Sequence, residues 1–90
     1  MNRGRILELQ CKALGNAKRL NILIHLKDGS MESVSEIAQI ISLRIKPTSK
    51  HLQKLEAAYL LERRKRGLHV YYHLPLKRPA VLKAVLKTLN

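Results

Sequence analysis

The side chains in this chain whose types and spacing suit chemistry are amines, guanidinium groups and an amide. Eight basic residues and two acids lie between Arg44 and Arg66, which gives this stretch a net charge of +6, half of the formal +12 of the 90-residue chain. Positive charge at this density favours binding to a polyanion such as nucleic acid. Basic residues that served solubility alone would be spread more evenly.

Residues 44–61 contain the pattern of a helix with two different sides. The apolar stripe consists of Thr48, Leu52, Leu55 and Tyr59. The other side carries no acid and consists of Lys46, Ser49, Lys50, Gln53 and Lys54. The major groove of DNA admits an α-helix, and the N-terminal half of a recognition helix reaches the bases. We therefore expect base-edge contacts from Lys46, Ser49, Lys50 and Gln53, and a phosphate contact from Lys54.

After Tyr59 the apolar spacing becomes alternating, which predicts a hairpin with strands at residues 61–65 and 68–74 joined at Arg66-Gly67. One side would pack through Val70, Tyr72 and Leu74, and the other would face solvent through His69, Tyr71 and His73. The basic residues of this hairpin are Arg63, Arg64, Lys65 and Arg66. We expect them to contact the phosphate backbone from beside the basic helix.

Four more helices complete the prediction, at residues 3–14, 17–27, 36–41 and from Pro79 to about Thr88, with a possible short strand at residues 31–34. The predicted N-caps are Asn16, Ser35 and Lys46. The fold class is mainly α with a small β-hairpin (α+β), in the order α-α-α-α-β-β-α. Two short helices in which the second is basic outside are typical of a helix-turn-helix, and residues 1–90 are long enough for one domain only.

The first and last helices keep apolar faces that the other elements do not need for a core. The residues in question are Ile6, Leu9, Ala13, Leu82, Val85 and Leu89. Exposed stripes of this kind need a cover. Packing within the same subunit is expected to cover some of these residues but not all of them, which predicts a homodimer through these two helices. A two-fold dimer would place two recognition helices about 34 Å apart, on successive major grooves.

Several functions are excluded by composition. Six scattered acids and the lack of a glycine-rich phosphate loop argue against an enzyme, and no metal or cofactor site is predicted. The single cysteine, Cys11, excludes an internal disulfide and fits a reducing cytoplasm, where we expect the protein on the nucleoid and not in a membrane. Cys11 could pair with its counterpart across a dimer axis, but the preferred expectation is a small buried hydrophobic residue.

The four histidines are not predicted to bind a metal. We expect His25 in the core or in a groove, and His51 at a junction between helices. His69 and His73 lie on one side of a strand, which is compatible with a surface metal pair. Without a nearby acid or cysteine, a solvated strand face is the preferred interpretation.

Four stretches resemble the ArsR/SmtB family of winged helix-turn-helix repressors: ALGNAKRLNIL (residues 13–23), VSEIAQII (34–41), TSKHLQKLEAAYLL (48–61) and GLHVYYHL (67–74). The resemblance implies a homodimer that binds an imperfect palindrome through its recognition helices. Three features depart from the family. Ser33 and Ser35 stand where arsenic-, cadmium- and lead-sensing members carry a cysteine pair. The last helix offers Lys83, Lys87 and Thr88 in place of zinc ligands, and Tyr59 stands where glycine is frequent.

The preferred function is a sequence-specific, double-stranded DNA-binding transcriptional regulator of the repressor type. One alternative is an architectural or chromatin protein that binds DNA by charge alone. Another alternative is a winged-helix module that docks on an acidic protein partner. This function is less favoured, because basic residues cluster at both the helix and the hairpin, as DNA binding requires.

Overall fold

Five helices and one two-stranded hairpin follow one another in the computed structural model, which describes residues 2–89. The helices are α1 (Arg3–Leu14), α2 (Ala17–His25), α3 (Val34–Ile41), α4 (Ile45–Ala57) and α5 (Ala80–Leu89), and the strands are β1 (Glu62–Arg66) and β2 (His69–His73). The predicted order and fold class are confirmed. No helix within these residues is long and apolar enough to cross a lipid bilayer.

The start of α2 agrees with the sequence pattern and its end does not. The side chain of Asn16 caps the helix by accepting a hydrogen bond from the backbone N–H of Arg19 (3.1 Å). The helix ends at His25 and not at Lys27, because the chain turns where the N–H of Gly29 donates to the carbonyl oxygen of Leu26. The φ angle of +90° at Gly29 suits this turn, since glycine has no Cβ to clash.

The predicted N-cap of α3, Ser35, is wrong. Ser33 caps the helix, and α3 begins at Val34. The hydroxyl of Ser33 accepts from the N–H of Glu36 (3.2 Å), and the Glu36 carboxylate accepts from the N–H of Ser33 (2.8 Å). This capping box satisfies two backbone donors at once, which a cap at Ser35 would not do. The pKa of Glu36 lies below its ordinary value because its carboxylate accepts hydrogen bonds from the backbone N–H and then from the side chain of Ser33.

The turn between α3 and α4 depends on a left-handed residue. Ser42 has a φ of 56°, and the N–H of Leu43 donates to the carbonyl oxygen of Ala38 (3.0 Å). This hydrogen bond across the end of the helix is typical of a Schellman motif, which usually uses glycine at the left-handed position. Ser42-Leu43 is thus a tight connection between α3 and α4.

The end of α4 closes in the same way, and this corrects the interpretation of Tyr59. The predicted apolar stripe includes Tyr59, but its side chain is 55% exposed and its φ is 61°. Tyr59 occupies the left-handed position after the helix, while the N–H of Leu60 donates to the carbonyl oxygen of Leu55 (3.0 Å). Leu60 and Leu55 are both fully buried, as is usual for the apolar contact of this motif.

The hairpin is shifted by one residue from its predicted position. Arg66 pairs with His69, so the turn is Gly67-Leu68 and not Arg66-Gly67. A φ of +60° at Gly67 explains the shift, because the first turn residue must adopt a conformation that arginine disfavours. The predicted strand before α3 is reduced to one β-bridge between Glu32 and Tyr72.

One apolar core joins these elements. Its buried members come from every helix and from the hairpin, and those without exposed surface include Leu23, Leu26, Leu52, Leu55, Leu60 and Leu82. The helices α2, α4 and α5 therefore share one packed interior. This interior holds α4 and the hairpin in a defined relation.

Replacing Ser33 by alanine should lower the free energy of unfolding by about 1 kcal/mol, because the N–H of Glu36 loses its side-chain acceptor. Ser35→Ala is the matched control, since its hydroxyl lies 3.2 Å from that of Ser33 and caps no backbone N–H. This control should change the free energy by less than about 0.5 kcal/mol. Urea denaturation of both variants measures the difference, and equal losses would contradict the assigned cap.

Candidate nucleic-acid interface

The buried side of α4 sets the direction in which its other side points. Thr48, Leu52 and Leu55 have no exposed surface, which confirms three of the four positions of the predicted stripe. Side chains three, four and seven residues apart share one side of a helix. Four exposed residues consequently form one outward line, here called the α4 row: Lys46, Lys50, Gln53 and Lys54. Ser49 is half-buried at the edge of this row.

A shallow groove follows the outward side of α4. Its lining residues are Pro47, Lys50, His51, Gln53, Lys54 and Ala57. None of them is acidic, so amines and an amide are presented without a competing carboxylate. Such a surface can donate hydrogen bonds to base edges and phosphate oxygens.

The start of α4 differs from the sequence prediction in its capping residue. Arg44 and not Lys46 occupies the N-cap position, and its side chain makes no capping hydrogen bond. The hydroxyl of Thr48 instead donates to the carbonyl oxygen of Arg44 (2.8 Å). Pro47 lies in the first turn, where a missing N–H costs nothing. Lys46 is therefore a helical residue with an exposed side chain.

The hairpin divides its basic residues between two faces, which the sequence cluster alone does not reveal. Arg63 lies opposite Tyr72 and Lys65 opposite Val70, so these two side chains share the inward-packing face. Arg64 lies opposite Tyr71 and Arg66 opposite His69. Arg64 and Arg66 therefore lie on the other face. All four basic side chains remain exposed.

An ion pair connects the hairpin to the end of α4. Arg63 Nε lies 3.3 Å from Glu56 Oε2, so the only acid of α4 is paired with the nearest basic residue of β1. On the opposite edge of the hairpin, Tyr72 exchanges two backbone hydrogen bonds with Glu32 (2.8 and 3.0 Å). The ion pair joins the hairpin to the end of α4, and the bridge joins it to the segment before α3. The ion pair between Arg63 and Glu56 is too exposed to add much stability.

His51 lies where the sequence predicts, at a junction between helices. Its Nδ1 accepts a hydrogen bond from Arg19 Nε of α2 (3.1 Å). Burial lowers the pKa of His51 from its ordinary value of 6.5, and the nearby positive charges of Arg19, Lys54 and Lys18 lower it further. His51 is consequently a neutral hydrogen-bond acceptor near pH 7.

The predictions for His25 and Cys11 are wrong. His25 is exposed, and its Nε2 pairs with the largely buried carboxylate of Glu32. The helical pattern misled here because the apolar residues around His25 face the core while His25 itself lies on the outer side of α2. Cys11 is exposed rather than buried, since Gln10 takes the inward position beside it on α1.

His69 and His73 lie on one face of β2, as predicted. His69 is exposed, and Nδ1 of His73 lies 2.9 Å from the carbonyl oxygen of Leu74. Within residues 2–89, no three histidine, cysteine or acidic side chains are grouped so that they could hold a metal ion.

The six apolar residues predicted for a dimer interface do not all reach the surface. Ala13 and Leu82 are buried in the core of this chain. Ile6, Leu9 and Val85 are half-buried, and Leu89 is 42% exposed. The structure adds Leu7 on α1, which is 49% exposed. A largely apolar groove of about 350 Å³ is lined by residues of α1, α2 and α5, namely Leu14, Leu20, Val81, Ala84, Val85, Thr88 and Leu89.

Solved structures similar to this chain include three bacterial proteins. HlyU from Vibrio cholerae N16961 is 30% identical, with a TM-score of 0.79 over 99% of this chain and 94% of that one. The transcriptional repressor PagR of Bacillus anthracis is 30% identical, with a TM-score of 0.75 over 93% and 91%. Mb0332 from Mycobacterium bovis, a homodimeric winged helix-turn-helix domain and possible ArsR-family regulator, is 26% identical, with a TM-score of 0.78 over 94% and 75%.

A curated protein also matches part of the chain. The HTH-type transcriptional regulator YdfF of Bacillus subtilis (strain 168) is 36% identical over 61 residues. This match covers 68% of the chain but only 27% of YdfF, so the chain spans about a quarter of that relative's length. No protein-family model matches the chain.

These likenesses and the fold define a class: the chain is a winged helix-turn-helix domain of the kind found in DNA-binding transcriptional regulators. Within that class, it is similar to Mb0332, a possible ArsR-family regulator, in agreement with the resemblance in the sequence. The hairpin β1–β2 is accordingly the wing of this fold.

Replacing Lys54 by alanine should weaken DNA binding and make it less dependent on salt, because the amine of the α4 row that is expected to contact a phosphate is lost. For a dimer, the slope of log K against log salt should become about 2 units less negative. Fluorescence anisotropy at several salt concentrations gives this slope. Lys83→Ala on α5 is the control with the same change in charge; an equal slope change in both variants would contradict a contact from Lys54.

Proposed function

We propose that the protein is a sequence-specific repressor that binds a palindromic operator as a homodimer. The observation that carries the proposal is the α4 row. Its amines and amide point away from a core in which Thr48, Leu52 and Leu55 have no exposed surface. A reading helix must be fixed in rotation, because discrimination between bases requires donors at defined positions.

The side chains then have different tasks on the duplex. Lys46, Ser49, Lys50 and Gln53 would reach base edges: lysine can donate to guanine O6 and N7, and glutamine can pair with the adenine edge. Lys54 and the wing residues Arg63, Arg64, Lys65 and Arg66 would meet phosphates. Arg63 would contribute least among these, because Glu56 already shares its charge.

A dimer through α1 and α5 is proposed from the apolar surface of these helices. Leu7 and Leu89 are large, apolar and exposed, and the groove beside Val85 is lined mainly by apolar side chains. Water-exposed apolar surface of this kind is stabilised when a second copy covers it. The homodimeric structure of Mb0332 supports the proposed dimer, and the similarity to the repressor PagR supports repression rather than activation.

We further propose that the repressor is not gated by the metals that the family commonly senses. The stretch where metal-sensing members carry a cysteine pair contains Ser33 and Ser35, and Ser33 is already occupied as the cap of α3. Serine hydroxyls are poor ligands for soft metal ions compared with thiolates. The last helix, where zinc-sensing members carry their ligands, offers Lys83, Lys87 and Thr88 instead. Addition of zinc should therefore leave the affinity for the operator unchanged.

Replacing Leu89 by glutamate should convert the dimer to a monomer and weaken operator binding, because a charge would be buried against the partner's apolar helix. Leu76→Glu is the matched control, since Leu76 is 96% exposed and lies in the loop before α5. Analytical ultracentrifugation measures both. A wild-type monomer, or equal effects of the two substitutions, would contradict the proposed interface.

The experiment that tests the function is selection of bound sites from random DNA, followed by footprinting with excess nonspecific competitor. We expect one protected palindrome and, if each subunit neutralises about four phosphates, a salt slope of roughly −7 for the dimer. Uniform protection without a preferred sequence would instead support an architectural protein that binds by charge alone.

A further inference from the structure

We propose that Arg19 is a positioning residue for the DNA-reading helix: its guanidinium joins the C-terminal end of α1 to a neutral His51 on α4. This inference rests on the proposed function, in which α4 reads DNA and α1 belongs to the dimer interface. It gives a physical connection between those two parts of the molecule.

The side chain of Arg19 connects three helices. Arg19 belongs to α2, and its Nε donates to Nδ1 of His51 on α4 (3.1 Å). Its Nη1 donates to the carbonyl oxygens of Ala13 (3.2 Å) and Lys12 (3.5 Å) on α1. These carbonyls belong to the last turn of α1, where they have no partner within the helix. Arg19 therefore caps the C-terminal end of α1 and also binds α4 through His51.

The charges make arginine well suited to this place. The C-terminal end of a helix carries partial negative charge, which stabilises the guanidinium. Arginine also presents several donors in a fixed planar arrangement, so it can reach two helices at once. The single ammonium group of lysine is a compact point charge and would not reproduce both contacts in the same geometry.

The link requires one protonation state of His51. Nδ1 can accept from Arg19 only while it carries no proton, so the neutral ring must hold its proton on Nε2. The charged groups that act on the ring are Lys18 and Arg19 from α2 and Lys54 from α4, all of them positive. Protonation would replace the hydrogen bond by contact between two cations. Lys50 of the α4 row is the residue before His51. Movement of α4 at His51 would therefore also displace the α4 row.

Four variants test the inference at constant salt: Arg19→Gln, Arg19→Lys, His51→Leu and His51→Asn. The amide oxygen of asparagine lies near the place of Nδ1 and does not titrate, so His51→Asn should keep most of the affinity for the selected site. Arg19→Gln and His51→Leu should weaken that affinity about tenfold, as expected for loss of a charge-assisted hydrogen bond. Arg19→Lys should bind the selected site with an affinity between that of His51→Asn and that of Arg19→Gln.

Binding to unrelated DNA separates positioning from charge. Lys83→Gln, on an exposed residue of α5, removes the same charge as Arg19→Gln. Both should weaken nonspecific binding equally, by a few-fold, but only Arg19→Gln should lower the ratio of specific to nonspecific affinity. Equal ratios in the two variants would overturn the proposal.

The pH profile supplies a readout that a merely structural role would not change. Below the ordinary histidine pKa of 6.5, the unfolded chain protonates before His51 does in the folded protein. Stability should therefore decline as the pH falls from this value toward the lowered pKa, and specific affinity should decline with it. His51→Asn should remove this part of the profile.

The last measurement is the pKa of the His51 imidazole, obtained by NMR titration of the folded protein without DNA. Arg19→Gln should raise the pKa of His51, because a positive neighbour and the hydrogen bond to the neutral ring are both lost. An unchanged His51 titration would overturn the inference. This arm needs no operator, so it decides about Arg19 even if the wild-type protein prefers no DNA sequence and the proposed function fails.

Discussion

Burial of the inner side of α4 is the constraint on which the rest of the structure depends. Leu52 and Leu55 have no contact with solvent, and Thr48 is equally buried. Loss of such contacts costs several kcal/mol in a packed core, so rotation of α4 about its axis is strongly opposed. Because the helix cannot rotate, the chemistry of its outer side is presented in one direction only.

The remaining contacts around α4 adjust the position of this side relative to its neighbours. The tight turn at Ser42 sets the entry from α3, and the left-handed Tyr59 sets the exit toward the wing. Arg63 and Glu56 join the wing to the end of the helix. A chain with a formal charge of +12 repels itself, and acids such as Glu36 and Glu56 form contacts that also orient an element.

Much of the fold could be predicted from the sequence because helical and alternating periods are strong signals. The bounds of α1 and the order of all seven elements follow from apolar spacing, and Asn16 from capping chemistry. The errors fall where two similar residues compete for one local role. Ser33 and Ser35 are both good caps, and only the position of Glu36 three residues after Ser33 decides between them. Tyr59 fits a helical stripe, but the chain needs a left-handed residue at that point.

The candidate site was predicted in outline and not in its connections. Residue types reveal which side chains carry charge, and helical spacing reveals that Lys50 and Gln53 share one side. Contacts between distant positions cannot be read from spacing, however. The links from Arg63 to Glu56 and from Arg19 to His51 join residues 7 and 32 positions apart, respectively. Partial burial likewise follows from neighbours in space, which is why Cys11 and His25 were misplaced.

We expect the outer side of α4 and the wing to form the surface that contacts DNA. Titration of ¹⁵N-labelled protein with a duplex containing the selected site tests it directly, by mapping which backbone and side-chain amide signals shift. The largest shifts should fall on residues 46–57, including the side-chain amide of Gln53, and on the wing at residues 63–69. Shifts confined to α1 and α5, with α4 unchanged, would contradict the account.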